Sequence, residues 1–344
     1  MAVATISSWE SLKDPKLPPP ERLSSYALFF AQSNPGKSTR SLPDESDLTA
    51  AERKAFEALY QELVDLRDAV KGVGPSAGGS IWTFENGPIT IICPEIPTAN
   101  RSPLAEEGNP NYTRTYRFAD LDALIELWGQ IRASNPTLRV ERWLPHEVEP
   151  AQLAGHLVVL GGIGWNRTAS RVQERLKNLP VQQVEVPELK NGEIFRLSGA
   201  DKEEFWPQWT EYEAGYRPTV EAAQLVQEQT EDAWIDGKYR ELSEDVAFLA
   251  RLGNPYSENG TLTICSGIYS RGVLGAVMTL TDPALAEANA AYIAERFPSR
   301  RFAMLLRVPV VNGKAGTPNL ASPESRLYEW SPDDKEGRGS GSAA

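Results

Sequence analysis

The chain has 344 residues, which at roughly 150 residues per domain suggests about two units. Hydrophobic residues make up 41% and charged residues 24%, enough apolar material for a sizeable core, so wholesale disorder is excluded. The net charge of -12 and pI of about 4.9 argue against a general phosphate-backbone binder, and direct nucleic-acid binding is not expected.

No run approaches the roughly 18 apolar residues that would span a bilayer. The start, Met1 to Pro20, lacks the basic and apolar regions of a secretory signal, so a cytoplasmic protein with no membrane partner is expected. Two cysteines and two histidines supply neither a disulfide framework nor a multi-ligand metal centre, and no metal site is expected. No motif names a cofactor.

In chain order, residues 1–74 form an N-terminal segment that opens Pro-rich (Pro15, Pro18, Pro19, Pro20), a composition hostile to regular helix. After Ser46, Phe56, Leu59, Leu63, Leu66 and Val70 recur at spacings of three and four, which predicts an amphipathic helix. VGPSAGGS, Val73 to Ser80, reads as a linker, so the residues before about Gly74 are expected to be removable without unfolding the rest. Residues 81–330 form the expected ligand-binding domain. There ITIICPEI, TLRVERWL, HLVVLGG, VQQVEV, EIFRLS, DVAFLARL, LTICSGI and RRFAMLLRVPVV predict strands, while helices are predicted after Asp120, from Asn166, at GVLGAVMTL and at PALAEANAAYIAERF. Alternation of apolar strands with helices predicts an α/β fold, a mainly parallel Rossmann-like sheet with helices on both faces.

Asp201 to Asp245 carries thirteen acidic against four basic residues, together with Trp206, Trp209, Tyr212, Tyr216 and Trp234. It is either a solvated excursion whose aromatics pack back on the body or a surface for a protein partner. The tail, 331–344, has nothing apolar to bury and is expected to be disordered.

Two loops carry the functional expectation. LGGIGWN, Leu160 to Asn166, and CSGIYSRGVLGA, Cys265 to Ala276, each turn a buried strand into a helix. Such turns lie at carboxyl ends of parallel strands, where glycines admit close approach and free N–H groups attract phosphate. The Gly162 and Gly272 turns are expected on one edge of one sheet, lining one pocket. Candidate ligand contacts are Gly161, Gly162, Trp165, Asn166, Arg167, Gly267, Tyr269, Ser270, Arg271 and Gly272. Arg167 or Arg271 would pair with phosphate, Asn166 would cap the helix or bond the ligand, and Trp165 or Tyr269 would stack on a base. The alternatives are a surface arginine, a plain cap and a packed aromatic.

Other motifs fail on spacing. SNPGKST, Ser33 to Thr39, has Ala31 where a P-loop needs its first glycine. Ser270 lies in G-x-x-S-x-G rather than G-x-S-x-G, and neither His146 nor His156 is an evident base for it. Cys93 and Cys265 close short apolar strands as inert buried thiols. Their contexts, TIIC and TIC, are alike over too few residues to make a repeat.

The strings ADLDALIELWGQIRASNP, HLVVLGGIGWN, SRGVLGAV with LTD, and RVPVVNGKAGTPNL with RLYEW together resemble an uncharacterised, mainly actinobacterial family. Its members often carry helix-turn-helix regulator descriptions. The resemblance covers about Ile89 to Trp330 and implies a shared α/β domain with no established activity or catalytic residues to carry over. The N-terminal segment departs from it, showing one amphipathic helix rather than a compact DNA-binding helix set.

Three functions follow as expectations. The first is a sensor or effector domain holding a small phosphorylated ligand, such as a nucleotide, between the glycine loops. The second is an enzyme acting on a nucleotide or its glycosidic bond, with Glu95, Asp120 or Asp245 as general acid or base. The third is an interaction module docking through 201–245. Carboxylates buried at strand ends would support the second, and an exposed apolar patch the third.

Overall fold

A computed structural model describes residues 20–31, 48–70, 80–187, 192–199, 202–212, 234–235, 238–257 and 260–333. Four of the segments read above therefore lie outside the described residues, wholly or for the most part: the Pro-rich start, Ser33 to Thr39, the linker to residue 79 and the tail from 334. The chain divides into two compact units, Met1–Gly79 and Ser80–Ala344.

In the first unit, helix α1 (Pro20–Phe30) packs on α2 (Ala50–Val70) through Ala27, Ala31, Leu48 and Phe56. Pro20 is tolerated because a first helical residue needs no N–H. Thr49 and Glu52 close the start of α2, with the Glu52 N–H donating to Thr49 Oγ1 and the Thr49 N–H to Glu52 Oε2, a capping box.

The second unit contains β1 (Ile89–Ile92), α3 (Leu121–Ser134), β2 (Val140–Trp143), β3 (His156–Leu160) and α4 (Arg167–Arg175). A small antiparallel sheet follows, built from β4 (Val181–Glu185), β5 (Glu193–Leu197) and β6 (Glu204–Phe205). Then come β7 (Gln208–Glu211), β8 (Trp234–Ile235), β9 (Lys238–Gly253), β10 (Thr261–Gly267), α5 (Ser270–Met278), α6 (Ala286–Arg296), β11 (Phe302–Val311), β12 (Lys314–Ala315) and β13 (Arg326–Trp330). The large sheet runs β12-β11-β9-β10-β3-β1-β2, with β13 on β11 and with β7 and β8 on β9.

This overturns the expected mainly parallel Rossmann-like sheet with helices on both faces. Parallel pairing is confined to β2, β1, β3 and β10, whereas β9, β11 and β13 pair antiparallel with their neighbours. The reason lies between β9 and β10. Residues 254–260 are too few for the crossover of a dozen or more residues that parallel neighbours need, so the chain turns straight back. Asn254 holds that return, its N–H donating to the Gly260 carbonyl at 3.0 Å and its Oδ1 accepting from Tyr256 N–H at 2.9 Å.

Strand residues alternate between two cores. Ile89, Ile91, Val158, Leu160, Ala247, Leu249, Met304 and Leu306 face one core with Leu124, Leu127, Val273, Val277 and Ile293, so α3, α5 and α6 cover that face. Leu157, Val159, Val246, Phe248, Ala250, Ile264 and Leu305 face the other, where α4 contributes Val172 and the small sheet contributes Val181, Ile194 and Phe205. The second face is thus covered largely by strands. No helix among the described residues is long and apolar enough to cross a membrane.

Candidate functional site

The two glycine turns leave adjacent parallel strands at the same edge. Leu160 is in register with Cys265, and the Gly161 N–H donates to the Cys265 carbonyl at 2.9 Å. The ground between the turns is filled by Gln183 of β4. Its Nε2 donates to the Gly267 carbonyl at 3.1 Å, its Oε1 accepts from the Ser266 hydroxyl at 3.1 Å, and a Cβ on Gly162 would lie 2.6 Å from it.

The N–H groups expected to cradle a phosphate are occupied by the protein itself. Asp245, on the face of β9 that meets α5, is fully buried and accepts from the N–H groups of Gly272 at 2.5 Å, Tyr269 at 3.1 Å and Val246 at 2.8 Å. Burial pushes its carboxyl up to about 7 against those donors, and the charge of Asp120 adds to the rise. At the other turn the buried Glu193 of β5 accepts from the Gly164 N–H, and burial followed by the charge of Glu185 pushes it up to about 7 as well. Asn166 is buried and completely engaged. Its Oδ1 accepts from the N–H groups of Thr168 and Ala169, while its Nδ2 donates to the carbonyls of Leu160 and Ile92. It is a helix cap that ties α4 to two strand ends.

Asp120 behaves differently. It occupies the cap position of α3 but makes no side-chain cap bond, because its backbone is left-handed with φ of 49°. Its carboxylate lies beside the Ser270 hydroxyl, which lowers its pKa while burial, the larger influence, raises it. A Cβ on Gly161, itself at φ of 73°, would lie 2.9 Å from Asp120 Oδ2, so only glycine lets the carboxylate settle there. Ser270, the first residue of α5, is exposed. A carboxyl group of raised pKa therefore sits behind a solvent-facing hydroxyl at the carboxyl edge of the parallel strands.

The chain matches no family model and no curated protein.

Glu95 is pinned by three side chains: Arg101 at 2.6 Å, Arg117 at 2.9 Å and His146 at 2.6 Å. Trp165 is exposed and its carbonyl accepts from the Glu95 N–H at 3.1 Å. Arg167 is exposed, and its Nε donates to the Pro145 carbonyl. Tyr269 is met edge-on by Trp209 with ring centroids 5.6 Å apart, so that face of the ring is taken. Arg271 is half-buried and makes no ion pair or hydrogen bond among the described residues.

His156 opens β3 at its amino end, away from Ser270, and burial lowers its pKa. Cys93 and Cys265 are free and buried, and burial pushes both thiols up. Among the described residues no group of three or more His, Cys, Asp or Glu is placed to hold a metal ion. Of the aromatics of the acidic segment, Trp206 is exposed, whereas Trp209 and Tyr212 pack on neighbouring rings. Trp209 lies against Tyr269 and under Arg240, and Tyr212 stacks on Tyr239. Tyr216 lies outside the described residues.

Gln183 and Glu193 were not among the predicted site residues. A signal existed, because VQQVEV places Gln183 two residues from the inward Val181, on the same face of the strand.

Proposed function

We propose that the chain binds a small molecule at the carboxyl ends of β1, β3 and β10 and carries out proton transfer on it. Asp120 is the acid–base group and the neighbouring Ser270 hydroxyl is its outlet to the ligand. The observation that carries this reading is the left-handed backbone at Asp120. A non-glycine residue held there stores roughly 1 kcal/mol or more, and such strain concentrates at functional positions. Here the carboxylate makes no bond to the N–H groups of its own helix and lies beside the hydroxyl that opens another. A raised carboxyl pKa brings the group nearer neutral pH, where acid–base exchange is most effective.

The same geometry favours this reading over a phosphate cradled by the turns themselves, since Asp245, Glu193 and Asn166 already use those donors. Asp245 has a structural part in the scheme, fixing the start of α5 so that Ser270 faces solvent. Kinship with the actinobacterial family is likewise proposed, on the strings Ser270 to Val277 and Leu280 to Asp282.

A thermal-shift screen of nucleotides, sugar phosphates and other polar metabolites finds ligands, since binding raises stability by mass action. Ligands that shift the melt are then incubated with wild type and Asp120→Asn, with products followed by mass spectrometry. The variant should bind comparably and turn over about 10²- to 10⁴-fold more slowly, the contribution of a general acid or base. Equal turnover by the two proteins removes Asp120 from the chemistry.

A further inference from the structure

Beside Asp120, on the same strand-end edge, a second set of charged side chains converges. Glu95 follows β1, His146 follows β2, Arg117 ends the short 3-10 turn Arg114–Arg117, and Arg101 lies in the loop between β1 and that turn. Both guanidinium groups donate to one Glu95 oxygen, Arg101 at 2.6 Å and Arg117 at 2.9 Å, while His146 Nδ1 meets the other at 2.6 Å. A single carboxylate thus answers two permanent cations and a histidine. The remaining acid on Arg117, Glu107 at 3.2 Å, is largely solvated and offsets little charge through water.

Donors are left over. Arg117 Nε is buried without a hydrogen-bond partner. Arg167 Nε is anchored on the carbonyl of Pro145, the residue before His146, which keeps that guanidinium next to the histidine loop. His146 Nε2 and Arg117 Nη2 are 3.3 Å apart, close enough for one anion oxygen to meet both. Trp165 is exposed, and its backbone carbonyl accepts from the Glu95 N–H, which sets the residue beside the cluster.

We propose that His146, Arg117 and Arg167 form an oxyanion subsite for a phosphate group of the ligand, with Trp165 as its apolar wall. This inference rests on the reading of that edge as the ligand site and names its substrate class as phosphorylated small molecules. The phosphate is thereby met by side chains rather than by the glycine turns. Planar guanidinium groups match phosphate in pairs, and histidine supplies a third donor.

The probes are inorganic phosphate and pyrophosphate, titrated into the full chain by calorimetry and by following the Trp165 indole N–H signal in NMR, with malonate as a carboxylate comparison. Pyrophosphate should bind saturably and shift that signal, with malonate weaker. Arg167→Gln and His146→Gln, both at exposed positions, should melt like wild type and weaken pyrophosphate binding by about tenfold, the loss of one charge-assisted hydrogen bond. Asp120→Asn should bind pyrophosphate like wild type. Absence of saturable binding, or equal affinity in wild type and both variants, overturns the subsite. It leaves the turnover test of Asp120 standing, so the two readings fail separately.

Discussion

Replacing Asp245 by Asn separates two opposed forces on one buried carboxyl. Burial raises Asp245 from an ordinary 3.8 to about 7 in the folded chain. Two backbone N–H groups at the start of a helix and one in β9 pull the other way. If burial wins, the folded protein retains a proton that the unfolded chain releases. The group's contribution to stability is then full at low pH and is lost as pH rises through about 7. Between pH 5.5 and pH 8 that loss amounts to about 2 kcal/mol, from a proton affinity difference of about three units at 1.36 kcal/mol each, truncated by the lower pH limit. Asn fills nearly the same volume and does not titrate. Its amide turns an N–H towards a backbone donor, a pH-independent cost of about 1–3 kcal/mol. Glu193, also pushed up to about 7, titrates in both proteins and cancels. Urea unfolding of wild type and Asp245→Asn across this range should show the wild-type advantage shrinking as pH rises. An advantage that grows with pH would show that the ionised carboxylate is what the helix start prefers, and would refute the ordering of forces.

Three further outcomes follow from the same packing. Asn166→Ala removes a buried side chain with four hydrogen bonds and should cost about 2–4 kcal/mol in chemical denaturation, above an ordinary cap because two strand carbonyls are also orphaned. Gly161→Ala should cost at least about 2 kcal/mol, because φ is 73° and the new methyl would meet Pro94 Cγ at 2.5 Å with no room to relax; an unchanged melting curve would deny the close approach of Asp120. Both thiols, buried and pushed up, should resist a thiol reagent in the native protein and react together on unfolding. Rapid labelling of either one in native conditions contradicts the packing.

Local structure was readable where apolar spacing decides it. The Leu124, Leu127 and Ile131 pattern gives α3, and β1, β3, β10 and β11 follow from their apolar runs. Strand direction was misread because apolar runs report burial on both faces and not polarity. The seven residues between β9 and β10 carried the missing information through their shortness. The amino half of β9 was hidden by its composition, since KYRELSE reads as surface although it continues the strand. At the site, Asp120 and Ser270 were named from their places at helix starts. Their juxtaposition depends on the left-handed turn at Asp120, which no pattern of residue types dictates. The occupation of the turns by Asp245 and Glu193 was also out of reach, because β9 and β5 arrive from distant parts of the chain. A carboxylate at the head of DVAFLARL, in step with the inward Ala247 and Leu249, was the available clue.

The length of β9 decides how separable the acidic segment is. Sixteen residues at roughly 3.3 Å each make a ribbon of about 50 Å. Its later half is clamped between β10 and β11, while its earlier half pairs with β7 and β8. Asp245 stands at the junction of those halves. Excising 201–245 would therefore take away the first half of a strand whose second half is the middle of the sheet, together with the carboxylate that seats the first turn of α5. The segment cannot be lifted out like a cassette. A graft or deletion made to probe it belongs within residues 213–233, between the strands that fasten it.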